Sequence, residues 1–188
     1  CHNGDNDICD SARGKQEWKG LSPFGKEVVK EMNRLGIMVD ISHAAESTFY
    51  QVLEVSETPI IASHSSARAL CDHPRNLTDD QLKALAAQGG VAQICLYKGF
   101  INKEEDKASL SDAIRHINHI ADLIGIDHVG IGSDFDGDGE LIGCSATNEL
   151  INITVRLLEE GYTEEDIRKI WGGNLLRVMT AIQDFPNK

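Results

Sequence analysis

No stretch of this chain approaches the roughly 20 consecutive apolar residues that a membrane-spanning helix needs, so a spanning segment is excluded. No signal peptide is visible either, and the chain opens on "CHNGDND" without an initiator Met, as a piece of something longer would. Basic residues are scarce: 18 Lys and Arg against 30 Asp and Glu leave a formal charge of −12. A nucleic-acid surface requires a basic stripe, so that class of partner is excluded. The five cysteines, at positions 1, 9, 71, 95 and 144, are odd in number, scattered and free of any CxxC pair. That pattern excludes a disulfide framework and a zinc knuckle. It reads as buried or incidental thiols in a reducing compartment, which favours a cytoplasmic location. "VGIGSDF" lacks the third glycine of a dinucleotide fingerprint. "DFDGDG" imitates the start of an EF-hand loop, but Ser145 stands where the bidentate glutamate belongs and a strand precedes it instead of a helix.

What is present is a hydrophobic period that switches repeatedly. Ser22-Pro23 starts a helix with apolar residues at 24, 28, 29, 32 and 35, and Gly36 ends it. A strand follows at 37–41, a helix near 46–55, and a second strand at 60–63 after Pro59. Thr78 and Gln81 predict a capping box for a helix over 79–88, closed by Gly89-Gly90. "VAQICL" (91–96) is the third strand, 109–124 a helix, and "HVGIGS" (128–133) the fourth strand. Helices near 146–159, 163–170 and 174–182 complete the pattern. Short apolar strands alternating with helices predict a parallel sheet buried on both faces, hence an α/β class. Four βα units are about half of a (β/α)8 TIM barrel. A small doubly wound sheet is the alternative.

In such folds chemistry gathers at the carboxyl ends of the strands. His43 and His64 end the first two predicted strands, Asp134 follows the fourth, and Arg75 lies in the loop after the second. His2 stands in the opening polar loop, where a preceding strand would end. Two histidines at equivalent strand ends, with an acid on the same rim, point to a metal site, since neutral imidazole is the commonest metal ligand. Asp134 reads as a proton carrier or a ligand, with Asp136 more ambiguous. Arg75 offers a planar fork for a substrate carboxylate. His116 and His119 mimic an i, i+3 metal pair, but fall outside the face marked by Ile114, Ile117, Ala121 and Ile124 and are expected to face solvent.

The segments "GLSPFGKEVVKEMNRLGIMVDISH", "PIIASHSSARALCDHPRNLTDDQL", "HVGIGSDFDG" and "GGNLLRVM" resemble, in this order, the renal (membrane) dipeptidase family of zinc peptidases. The resemblance runs through nearly the whole chain. It implies a metal-dependent-hydrolase (β/α)8 barrel carrying two zinc ions and hydrolysing dipeptides with metal-activated water. Residues 1–188 would be the C-terminal part of that single barrel domain. His43 and His64 match the histidines of the second zinc, Asp134 the acid that handles the proton of the attacking water, Arg75 the arginine that binds the dipeptide carboxylate, and His2 the histidine that contacts substrate and stabilises the oxyanion. The His-x-Asp of the other zinc and the bridging glutamate would precede Cys1, so the isolated piece is expected to be inactive. A homodimer of half-barrels could cover the open sheet edges without recreating those ligands. The rival readings are another amidohydrolase-like hydrolase and a non-catalytic barrel fragment.

Overall fold

The computed structural model describes residues 1–187. Helix α1 (Pro23–Leu35) begins where expected: the Ser22 hydroxyl accepts from the Gly25 amide at 2.9 Å, and Gly36 closes it in the left-handed region (φ 70°). Helix α2 (Glu46–Val55) leads into strand β1 (Ile61–Ala62), and α3 (Asp79–Ala87) carries the full Thr78–Gln81 capping box. Strand β2 (Val91–Ile94) is followed by a short α4 (Lys98–Ile101), then α5 (Leu110–Ile124) and strand β3 (Val129–Ile131). The chain finishes with α6 (Ile151–Glu159), α7 (Glu164–Arg168), a π turn over Lys169–Gly173, and α8 (Asn174–Asp184).

The three strands pair in parallel in the order β1-β2-β3, with Ile61 opposite Val91 and Ala92 opposite Val129. Sequence expectation placed one more strand, the first of four, at 37–41. The structure reduces it to one parallel bridge between Asp40 and Ile61, held by hydrogen bonds from Ile41 N to Ile61 O and from Ile61 N to Val39 O. Ile37, at the start of that run, is 47% exposed and gains neither a ladder nor burial, while Met38 is only partly buried. All the strands are shorter than their apolar runs because the backbone leaves the ladder at its carboxyl end. Single hydrogen bonds from Ser65 N to Gln93 O and from Leu96 N to Ser133 O carry the association further.

Alternate strand residues divide between two packing layers. Ala62, Ala92 and Ile94 join the main core with Leu82, Leu85, Ile114 and Ile117 of α3 and α5. Ile61 and Val91 point the other way, against Val178 and Ile182 of α8. Each fully buried Leu or Ile contributes about 1.5–3 kcal/mol of transfer free energy. The "GGN" run is structural: the Asn174 amide donates to the carbonyls of Ile126 and Val129, pinning the start of α8 to the beginning of β3. As expected, most thiols are internal: Cys9, Cys71, Cys95 and Cys144 are buried, and all five cysteines are free.

The expectation for His116 and His119 is corrected. His116 is 1% exposed: its Nδ1 accepts from Ala67 N at 3.0 Å, and its Nε2 lies 3.1 Å from the Ile101 carbonyl, to which it donates. His119 is partly buried, with Nε2 2.8 Å from Asp79 Oδ1. Helix α5 is packed on more than one side, so its buried face is wider than the aliphatic stripe alone marks. Burial pushes the His116 imidazole down to about 4. Its folded pKa therefore lies below an unfolded value of about 6.5, and the unfolded chain binds more protons between the two. This stabilisation is complete above about pH 6.5 and is lost as pH falls toward about 4, a loss of about 3 kcal/mol. Urea unfolding at pH 7 and pH 4.5 should show that drop added to those of the other depressed histidines, and His116→Asn should reduce the total by about the His116 share.

Candidate active site

The turn after 37–41 and the turn after β1 bring two imidazoles together. His43 sits at φ 71°, a left-handed conformation that turns its side chain across the sheet toward the next strand. His43 Nε2 and His64 Nε2 are 2.9 Å apart, with ring centroids at 4.9 Å and planes inclined by 65°. The His2 ring lies against the other side of His43, its centroid 4.1 Å away. Gly132 makes this approach possible: a Cβ there would stand 1.8 Å from the Ser63 carbonyl oxygen. The loop bearing His64 can lie against the end of β3 because that position has no side chain.

Asp134 follows β3, also left-handed at φ 66°, and its Oδ2 lies 3.2 Å from the Cys95 thiol, which donates to it. Arg75 is 3% exposed, with its guanidinium 5.3 Å from the Phe100 ring centroid. Its Nη2 reaches the His64 carbonyl only at 3.5 Å, and its Nε has no partner among the described residues. A buried guanidinium so poorly satisfied carries a desolvation cost that its contacts among the described residues do not offset. His2, His43, Asp134, Arg13, Tyr97 and Phe100 line a cavity of about 270 Å³, which Arg75 adjoins through the Phe100 ring. Larger hollows, such as one of about 400 Å³ beside Tyr162 and Asp122, lie away from this cluster.

The electrostatics favour neutral imidazoles. Burial, reinforced by the positive charge of Arg75, pushes His43 down to about 3. Burial also lowers His64, partly offset by the Asp134 carboxylate. At neutral pH each ring therefore keeps a lone pair on one nitrogen, the form that binds metals. His43 Nδ1 is buried without a partner among the described residues, and its Nε2 faces that of His64. Two convergent neutral imidazoles fit part of a metal site. Among the described residues, no group of three His, Cys, Asp or Glu side chains is arranged to hold an ion by itself.

Residues 1–188 match the membrane dipeptidase family, peptidase family M19, from end to end. The chain belongs to that family. It is 41% identical over 187 residues to an uncharacterized dipeptidase of Schizosaccharomyces pombe, covering 98% of this chain and 46% of the relative. It is 39% identical over 166 residues to dipeptidase tcpJ of Claviceps purpurea, covering 88% and 39%. Among solved structures, the probable dipeptidase PvdM from Pseudomonas aeruginosa superposes with a TM-score of 0.94 at 30% identity, over 97% of this chain and 61% of that one. A metallo peptidase from Rhodobacter sphaeroides, solved with a phosphinate mimic of L-Ala-D-Ala, gives 0.83 at 33% identity, over 87% and 47%. This dipeptidase-family chain thus spans less than half the length of these two curated relatives.

All five residues picked out from the sequence fall in one neighbourhood of this M19 chain. Sequence reasoning missed four more that build it: Cys95, Tyr97, Phe100 and Arg13. The carboxyl-end rule would have reached Cys95 and Tyr97, which directly follow β2. Arg13 lies in an irregular loop and carries no comparable signal. Asp136 is exposed and does not line the cavity.

Proposed function

We propose that residues 1–188 are the C-terminal half of a (β/α)8 barrel in a zinc-dependent dipeptidase, with the remaining metal ligands supplied by sequence outside these residues. The unreversed parallel order of the strands supports a barrel segment over a doubly wound sheet, whose strand order reverses at a switch point. The observation that carries the function is the convergence of His43 Nε2 and His64 Nε2 beside the buried, under-satisfied guanidinium of Arg75.

In this reading His43 and His64 would hold one zinc ion. Bound zinc supplies Lewis acidity, polarising a carbonyl and making water a nucleophile near neutral pH. Arg75 takes the free carboxylate of the dipeptide, which confines cleavage to short substrates and sets the scissile bond at the rim. Asp134 accepts the proton of the attacking water and hands it to the leaving amine. His2 donates to the oxyanion as charge develops, a contact stronger in the transition state than in the ground state. The Cys95 thiol occupies one oxygen of Asp134 and leaves the other for that proton.

Carboxylate binding is made in ground and transition states alike, so its loss appears in KM. In the full-length protein, Arg75→Met keeps the packing against Phe100 but removes the charge. It should raise KM for dipeptides by about 30- to 150-fold, the equivalent of about 2–3 kcal/mol, with kcat little changed. An unchanged KM would remove this role. Assaying dipeptides against cyclic amides separates a dipeptidase from an amidohydrolase acting on rings.

A further inference from the structure

His64 stands at the end of a chain of hydrogen bonds that its metal role alone does not explain. Ser63 Oγ lies 2.5 Å from Asp40 Oδ2 and 2.7 Å from His64 Nδ1. The other Asp40 oxygen accepts from the backbone amides of Ser42 and Ser63, each at 3.0 Å. The carboxylate is exposed, yet two amides from adjacent turns and one hydroxyl tie it in place. A carboxylate accepts only, so the single Ser63 proton is directed to Asp40. Toward the imidazole, Ser63 Oγ is then left as an acceptor.

We propose that Asp40 and Ser63 are positioning residues that hold His64 in its Nδ1–H tautomer, with the Nε2 lone pair aimed at the point shared with His43. His64 is thereby preset to bind a cation through Nε2, at the point where the His43 Nε2 stands 2.9 Å away. A carboxylate behind a histidine, here relayed through a hydroxyl, also raises the basicity of the ligating nitrogen.

The significance for zinc rests on the function proposed above; the tautomer does not. Long-range 1H–15N NMR of the full-length protein, at mildly alkaline pH without metal, should show His64 protonated on Nδ1. Ser63→Ala keeps the backbone amide that binds Asp40 but removes the relay. His64 should then revert to the Nε2–H form that free histidine prefers, and zinc affinity should fall by about ten- to a hundredfold. Ser63→Thr should restore both. Wild-type His64 protonated on Nε2, or an Ala variant with tautomer and affinity unchanged, would overturn the proposal. If the full-length protein takes up no zinc, the metal reading of the pair fails while the NMR result still decides the relay.

Discussion

His64→Ala, made in the full-length protein, is expected to remove one of two zinc equivalents and to lower kcat/KM by roughly a thousandfold or more. The imidazole supplies one of two nitrogens that converge at 2.9 Å, and a single remaining histidine cannot hold a tetrahedral ion. Metal polarisation is worth several kcal/mol in the transition state, and each 1.36 kcal/mol is tenfold in rate. The backbone at His64 has negative φ, so alanine adds no conformational strain there. His43 is different: at φ 71° an alanine would incur the left-handed penalty of about 1–2 kcal/mol, and Asn, which tolerates that region, is the better probe. Metal analysis alongside steady-state kinetics decides the matter. Two full zinc equivalents in either variant would sink the assignment of the pair.

Asp134→Asn should lower kcat by about 10²- to 10⁴-fold while leaving zinc content and KM close to wild type. Asparagine suits the left-handed backbone at this position, and its side-chain oxygen can still accept from Cys95, so the loop keeps its shape. Only the ability to carry a proton is removed. A variant with full kcat would exclude Asp134 from proton transfer. A variant that loses zinc would make Asp134 a ligand.

Much of this architecture was legible because it is local. Ser22 and Thr78 cap helices through bonds to residues three positions on, so their signatures survive any tertiary context. His43 and His64 were found by a positional rule, each coming where an apolar run ends. The strand at 37–41 was overestimated for the converse reason. A strand exists through its neighbours, and that run finds one bridge on one side. The histidines of α5 were misjudged because the aliphatic stripe marks one packed face, whereas His116 is sealed by backbone from the distant residues Ala67 and Ile101.

The sequence by itself determined the alternation of short strands with capped helices, the family, and which five side chains share the carboxyl-end rim. Each of these follows from periodicity, from neighbours within a few residues, or from long matching segments. Only the tertiary structure decided that His43 turns back to meet His64, that Arg75 is buried against Phe100 with its charge under-satisfied, that Cys95 engages Asp134, and that Asp40 reaches His64 through Ser63. These contacts join residues 21 to 39 positions apart, or pass through a third side chain. Their geometry comes from parallel strands delivering separate loops to one edge, which no local pattern in the chain encodes.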